Sequence, residues 1–155
     1  QIIQLKLDDL YGDLMQSYKK KNFTQFQRIK TDFLELFDDA ERVLAAGRHF
    51  LLGRWLSDAR EMATGDAERR LWEYNARSQI TLWGPNGEIR DYANKQWSGV
   101  VKDYFKPRWV IFLKALEDSI SSGMRFNGTV INRRIFDEVE KPFTLAHTDY
   151  PTETE

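Results

Sequence analysis

The chain has 155 residues, of which 41% are hydrophobic and 30% charged, a size and composition typical of one globular domain. Its 23 basic and 24 acidic residues leave a net charge of −1, which argues against nucleic acid or an anionic membrane surface as a partner. It contains no cysteine, so disulfides, thiolate metal sites and a cysteine nucleophile are excluded.

Two further features bear on the setting of the chain. No apolar run approaches the roughly 20 residues that a membrane span requires, so we expect no membrane association. The sequence starts at Gln1 instead of Met and carries no signal-like apolar segment. We therefore expect it to be part of a longer polypeptide.

Apolar residues at helical spacing predict two amphipathic helices in the first third of the chain. The stripe of the first helix consists of Ile3, Leu7, Leu10, Tyr11, Leu14 and Tyr18. Asn22 can cap the second helix, with Gln25 three residues further on. The stripe of the second helix consists of Phe26, Ile29, Phe33, Leu36, Phe37, Ala40, Val43 and Leu44.

Two more helices are predicted before residue 83. The stripe of the third consists of Leu52, Trp55, Leu56, Ala59 and Met62. Thr64, Gly65 and Asp66 break the pattern and can start the next helix. The residues expected to face the core from the fourth helix are Ala67, Leu71, Tyr74, Ser78 and Leu82.

The second half of the chain predicts three further helices and a short tail. The fifth helix is expected to begin near Asp91, and the residues that it buries are Ala93, Trp97, Val100, Val101 and Tyr104. Pro107 suits the first turn of the sixth helix. Pro142 removes a backbone donor and is expected to kink or end the seventh helix early. Residues 151–155 are polar, and we expect this tail to be frayed.

The pattern as a whole predicts an all-α fold. The runs ITLW and TVI are the only β-like pieces, and both are short. We therefore expect residues 1–155 to form a single all-helical domain, a bundle of about seven helices joined by short loops.

The residue types and spacings in the sequence give little support to a catalytic role. His49 and His147 are the only histidines, and they are far apart without partners at metal-ligand spacing, so we expect no metal site and no cofactor. No nucleophile elbow or phosphate-binding loop occurs. Among the carboxylates, Glu88 and Asp91, beside a predicted turn, come closest to the requirements of acid–base catalysis. Their spacing gives no reason to assign that role to them.

The run ITLWGPNGEIRDYANKQW, residues 80–97, interrupts the helical pattern. Its segment GPNG, residues 84–87, fits a β-turn with proline at the second position and glycine at the fourth. Two interpretations remain open on the residues alone. Trp83 packs into the core at a helical corner, or Trp83 and Tyr92 face a ligand beside amides such as Asn94. Aromatic faces next to amides suit sugar rings.

Two long runs resemble the C-terminal helical region of the α-N-acetylglucosaminidases, glycoside hydrolase family 89. They are FLLGRWLSDAREMA (50–63) and WEYNARSQITLWGPNGEIRDYANKQWSGVVKDYFKPRWVIFLKAL (72–116), and LWGPNGEIRDYANKQ is the most specific part. The chain departs from the family pattern at Lys106 and Pro142, which affects local capping and the last helix.

The resemblance implies a retaining exo-glycosidase that removes terminal α-linked N-acetylglucosamine from glycans. Such chemistry needs two carboxyls about 5–5.5 Å apart, and in this family both catalytic glutamates lie in a preceding (β/α)₈ barrel. The resemblance therefore implies no catalytic residue in this chain, which would pack on the barrel of the same polypeptide and help to shape the pocket. In animals the family degrades heparan sulfate in the lysosome. Bacterial members act on host or environmental glycans, which implies the periplasm or the exterior.

The same resemblance implies roles for residues of the run 80–97. We expect Trp83, Tyr92 and Asn94 to bind substrate. Arg77, Asp91 and Lys95 are expected to support the site or to lie at the interface with the barrel. The alternative is a stand-alone helical module that binds glycans or another protein.

Overall fold

The computed structural model describes residues 1–84 and 86–154. The α-helical segments in these ranges are α1 (Ile2–Lys19), α2 (Phe23–Ala45), α3 (Leu52–Glu61), α4 (Asp66–Ile80), α5 (Lys106–Ser122), α6 (Gly128–Ile135) and α7 (Lys141–Leu145). The other elements are a 3₁₀ turn (Arg48–Phe50), two π-helical turns (Val101–Phe105 and Phe136–Glu140) and the strands β1 (Leu82–Trp83) and β2 (Ile89–Arg90). The predicted all-α bundle is confirmed. None of the helices in the described residues is long and apolar enough to cross a membrane.

The helix that contains α5 and the π turn before it lies between two apolar clusters. The first cluster joins this helix to α1 and α2, and its buried members are Leu14, Phe26, Ile29, Phe33, Phe37, Val101, Leu113 and Leu116. The second joins it to α3, α4 and the last helix, and its buried members are Leu52, Leu56, Ala59, Ala76, Ile80, Val100, Tyr104, Val139 and Phe143. Aromatic and branched aliphatic side chains fill both clusters, as the predicted stripes of α1, α2 and α3 require.

Two asparagine side chains cap the first turns of helices. The side chain of Asn22 accepts a 3.1 Å hydrogen bond from the backbone N–H of Gln25, which confirms the predicted cap of α2. Asn127 caps α6 in the same way, with a 3.2 Å bond from the N–H of Val130.

The helix predicted to begin near Asp91 does not form there. Asp91 has a φ of 53°, in the left-handed region, which does not continue into a helix. The chain stays irregular to Ser98, whose N–H donates to the carbonyl of Phe50 (2.8 Å) and whose carbonyl accepts from Leu52 (3.1 Å). The helix therefore starts after this bridge and continues through Pro107, so the expected fifth and sixth helices are one helix.

Both prolines in helical segments follow a π turn. The N–H of Lys106 donates to the carbonyl of Val101, and the N–H of Lys141 donates to the carbonyl of Phe136, each across five residues. A proline ring clashes with the fourth preceding carbonyl of a regular helix, and the wider turn avoids that contact. Pro142 consequently does not end the last helix, which continues to Leu145.

The inward face of α4 differs from the predicted stripe. Leu71 and Tyr74 are 53% and 37% exposed, whereas the buried residues of the helix are Glu73, Ala76, Arg77 and Ile80. The prediction was wrong because it chose the inward face from the spacing of mainly apolar residues, whereas two charged residues face inward here. Glu73 and Arg77 face inward because they form an ion pair, at 3.0 Å between Oε1 and Nη2.

Candidate functional site

A short β-hairpin follows α4 and carries the run that interrupts the helical pattern. β1 and β2 are antiparallel, with Leu82 opposite Arg90 and Trp83 opposite Ile89. The N–H of Gly87 donates to the carbonyl of Gly84 at 3.1 Å, the bond that closes a β-turn. Both glycines have positive φ, 97° and 67°, which glycine adopts without strain. The turn is therefore where the sequence predicts it; Pro85 lies outside the described residues.

The segment after β2 is tied to the domain through Asp91. Its N–H donates to the carbonyl of Thr81 at 2.7 Å. Its carboxylate accepts one 2.8 Å hydrogen bond from the hydroxyl of Tyr104 and another from the guanidinium of Arg108. Burial raises the pKa of Tyr104, so this hydroxyl remains a hydrogen-bond donor. The base of the hairpin is consequently rigid, while the next residue, Tyr92, projects into solvent.

Trp83 and Tyr92 meet on the surface of the hairpin. Their ring centroids are 4.8 Å apart and the rings are nearly perpendicular, at 86°. Trp83 is 47% exposed and Tyr92 is 67% exposed, so Trp83 is not packed into the core. Ile89 lies directly opposite Trp83 in the ladder, on the same face, and is 49% exposed. We refer to Trp83, Ile89 and Tyr92 as the hairpin patch.

Asn94 lines a surface to which neither Trp83 nor Tyr92 contributes. It is exposed, and it borders, with Gln96, a wide groove of about 1260 Å³ between α1 and α2. The structure thus brings Trp83 and Tyr92 into contact and puts Asn94 at the edge of a second surface. That second surface exposes apolar side chains, among them Ile2 and Val43, which are 75% and 65% exposed.

The three residues expected to support the site have different surroundings. Arg77 is fully buried, so it offers no surface to another domain, and the expectation of an interface role is wrong for it. Asp91 holds the segment that precedes Tyr92. Lys95 is exposed, and its Nζ lies 5.7 Å from the centre of the Trp97 ring.

The carboxylates of this region are poorly suited to acid–base chemistry. Hydrogen bonds from its own backbone N–H and from Asn86 hold the pKa of Glu88 below its usual range, which disfavours the protonated form that a general acid needs. Burial raises the pKa of Glu140, but this side chain is fully enclosed and out of reach of a substrate. Within the described residues, no group of three or more His, Asp or Glu side chains could hold a metal ion.

Sequence reasoning missed two ion-pair networks, each centred on a buried carboxylate. In one, Glu73 accepts hydrogen bonds from Arg60 and Arg77. In the other, Glu140 lies 3.4 Å from nitrogen atoms of Arg90 and Arg108. The only local signal is the spacing of four residues between Glu73 and Arg77, and an exposed ion pair has the same spacing.

Comparison with known proteins gives consistent results at the levels of family, sequence and fold. A family model described as Alpha-N-acetylglucosaminidase (NAGLU) C-terminal domain matches residues 1–155. Human alpha-N-acetylglucosaminidase is 44% identical over 119 residues, which are 77% of this chain and 16% of that protein. The class is therefore a helical domain from the C-terminal region of a glycosidase. More closely defined, the chain belongs to the family of α-N-acetylglucosaminidase C-terminal domains.

Solved structures of a family 89 glycoside hydrolase from Clostridium perfringens share the fold. The complex with its substrate GlcNAc-α-1,4-galactose superposes with a TM-score of 0.87 at 31% identity, over 100% of this chain and 18% of that one. The complex with 2-acetamido-1,2-dideoxynojirmycin has the same TM-score, sequence identity and coverage of the two chains. The chain thus spans less than a fifth of the length of these relatives.

Proposed function

We propose that this domain forms one wall of the sugar pocket of an exo-α-N-acetylglucosaminidase, and that it performs no bond cleavage itself. The observation that carries the proposal is the contact between Trp83 and Tyr92. Two large aromatic side chains, 47% and 67% exposed, are held together on a hairpin with a rigid base. A perpendicular pair uses at most one face of one ring, so free ring faces remain for the apolar face of a sugar.

The substrate that we propose for the whole enzyme is a glycan ending in α-linked N-acetylglucosamine. This proposal is supported by the Clostridium perfringens relative, which was solved with GlcNAc-α-1,4-galactose. Cleavage with retention requires two carboxyls on either side of the scissile bond. We assign these to a preceding (β/α)₈ barrel, since Glu88 and Glu140 are unsuited to the work for the reasons given above.

We further propose that the barrel of the same polypeptide covers the groove between α1 and α2. The relatives are five to six times longer than this chain, so a large partner surface is available within one polypeptide. The segment that carries Tyr92 also carries Asn94 and Gln96, which border this groove. A barrel on the groove would therefore lie beside the hairpin patch. The compartment that we propose is the lysosome for an animal enzyme and the periplasm or exterior for a bacterial one.

The decisive experiment uses the full-length enzyme that contains this domain. Trp83→Ala should lower kcat/KM for an α-N-acetylglucosaminide by at least about tenfold, which is about 1.4 kcal/mol of transition-state stabilisation. Met124→Ala is the control, because Met124 is apolar and 66% exposed in the loop after α5. Unchanged kcat/KM in a folded Trp83→Ala enzyme would reduce Trp83 to a structural role.

A second experiment separates this function from that of a stand-alone module. The chain alone should neither hydrolyse an aryl α-N-acetylglucosaminide nor bind free N-acetylglucosamine with a measurable heat, because one wall of a pocket holds a monosaccharide weakly. Tight binding of the sugar by the isolated chain would favour an independent glycan-binding module. Robust turnover would show that the catalytic carboxyls lie in this chain.

A further inference from the structure

A groove of about 430 Å³ runs between α3 and α4 and ends at Trp83. This volume lies in the range of ligand sites in proteins, about 300–1,000 Å³. Residues at helical spacing line both sides of it, with Asp58 and Met62 on α3 and Trp72, Asn75 and Gln79 on α4. Trp72 and Gln79 are seven positions apart on α4, which corresponds to about 10 Å along the helix axis.

The groove combines aromatic faces with unengaged polar groups. Trp72 is 38% exposed, and Trp83, at the end of the groove, is 47% exposed. The Asp58, Asn75 and Gln79 side chains form no hydrogen bond or ion pair with another side chain or backbone group in residues 1–84 and 86–154. Two indole faces, two amides and a carboxylate match a sugar, which has an apolar face and a belt of hydroxyls.

The inner wall of the groove is fixed. The indole N–H of Trp55 donates a 3.0 Å hydrogen bond to the carbonyl of Ala76, which links α3 to α4 at the floor of the groove. The Trp55 ring also packs on Trp97, with centroids 5.8 Å apart. Because both helices are held in this way, a ligand would meet a preformed surface and lose little energy to rearrangement.

We propose that this α3–α4 groove binds the sugars that adjoin the terminal N-acetylglucosamine of an extended glycan, with Trp72 as the stacking platform. The inference rests on the function proposed above. Trp83 belongs both to the hairpin patch and to the groove, so a glycan whose terminal sugar lies at the hairpin patch has a continuous surface for its next residues. Asp58, Asn75 and Gln79 provide acceptors and donors for their hydroxyls.

The test compares two substrates in the full-length enzyme. One is methyl α-N-acetylglucosaminide, which has no sugar beyond the cleaved one, and the other is an oligosaccharide of three or more sugars with the same terminal residue. Trp72→Ala should lower kcat/KM for the oligosaccharide by roughly tenfold, about 1.4 kcal/mol, and change that for the methyl glycoside by less than about twofold. Trp72→Phe keeps a flat ring and should restore most of the loss.

Two further variants provide a control for Trp72→Ala and a second test of the groove. Leu71 is the neighbour of Trp72, is 53% exposed and lies outside the groove, so Leu71→Ala should leave both substrates unchanged. If Trp72→Ala unfolds the enzyme, the double variant Asn75→Ala, Gln79→Ala tests the same groove through its amides. The inference would be overturned if none of the groove variants lowered kcat/KM for the oligosaccharide relative to that for the methyl glycoside.

The outcome also separates this inference from the proposed function. Trp83→Ala should reduce kcat/KM for both substrates, because Trp83 is proposed to contact the terminal sugar. A loss on both substrates with Trp83→Ala, together with an unchanged oligosaccharide rate in Trp72→Ala, would overturn the groove proposal alone. Unchanged rates in both variants would overturn both proposals.

Discussion

The guanidinium of Arg77 lies inside the domain and donates a 3.0 Å hydrogen bond through Nε to Glu73, one turn earlier on α4. Its other nitrogen atoms donate to the carbonyls of Phe143 (3.2 Å) and Thr148 (2.9 Å). Arg60 of α3 donates to both oxygens of the same Glu73 carboxylate, at 2.9 and 2.8 Å. One buried carboxylate therefore connects α3, α4 and the C-terminal segment.

Replacing Glu73 with glutamine should destabilise the chain by about 3–5 kcal/mol, because the variant leaves the charge of the fully buried Arg77 without a counterion. Urea unfolding of the chain measures the change. Glu138→Gln is the control: Glu138 pairs with Arg134 on the surface, and loss of that pair should cost less than about 1 kcal/mol. Equal losses in the two variants would contradict a structural role for the buried network.

The same residues explain why the inward face of α4 was not predicted correctly from the sequence. A stripe of apolar residues identifies an inward face only when the core is apolar, as it is for α1 and α2. In α4 two of the inward positions carry Glu73 and Arg77, which are acceptable in the interior because they pair with each other and with further partners from other elements. Those partners are distant in sequence, so no local pattern reveals them.

Other features were predictable because their causes are local. The cap at Asn22 and the turn from Gly84 to Gly87 each depend on a few consecutive residues. The contact between Trp83 and Tyr92 needs a hairpin whose base is held by Tyr104 and Arg108. The sequence could suggest that both aromatics face a ligand, but their contact depends on those long-range bonds.

The free energy of unfolding should depend on pH in part through the titration of Glu140. Its carboxylate is fully buried and accepts no hydrogen bond from the described residues. The charged groups that face it are Arg90 and Arg108, at 3.4 Å, and Asp91. Burial, with a further contribution from Asp91, raises the pKa of Glu140 above its ordinary value of 4.5 despite the two arginines.

A group with a raised pKa binds its proton more tightly in the folded state. Its contribution to stability is therefore fully present below pH 4.5 and is lost as the pH rises through the folded-state pKa. Glu140→Gln should consequently remove part of the stability that the chain gains as the pH falls from neutrality toward 4.5. Unfolding free energies of the parent and variant over that range check this, and parallel curves would contradict it.

Asp91 should be sensitive to replacement for two independent reasons. Its φ of 53° is strained for most residues, by roughly 1–2 kcal/mol, and aspartate and asparagine tolerate it best. Its carboxylate also accepts the hydrogen bonds from Tyr104 and Arg108. Asp91→Ala should therefore destabilise the chain by about 2–4 kcal/mol, the sum of strain and lost hydrogen bonds.

Two variants separate the contributions at Asp91. Asp91→Asn keeps the tolerated backbone conformation and an acceptor for Tyr104, so its loss should be clearly smaller than that of Asp91→Ala. Tyr104→Phe removes a single hydrogen bond and should cost about 0.5–1.5 kcal/mol. If Asp91→Asn and Asp91→Ala were equally destabilised, backbone strain would have no part in the effect. Urea unfolding followed by tryptophan fluorescence measures all three.

Two glycine-to-alanine substitutions should shift stability in opposite directions. At Gly53 an added Cβ would lie 2.2 Å from the carbonyl oxygen of Pro151 and 2.4 Å from that of Tyr150. These are backbone atoms, so the C-terminal segment would have to move away from α3.

The cost of Gly53→Ala should be about 1–3 kcal/mol, typical of an overpacked interior. At Gly12, inside α1, no atom beyond the adjacent backbone of its own helix and its two chain neighbours lies within 4 Å of the added Cβ, and alanine is favoured over glycine in a helix by about 0.5–1 kcal/mol. In a chain of this size each kcal/mol corresponds to about 2–4 °C in Tm. Calorimetry should therefore give a lower Tm for Gly53→Ala and a higher one for Gly12→Ala. A Tm unchanged by Gly53→Ala would show that the segment after Thr148 is not held against α3.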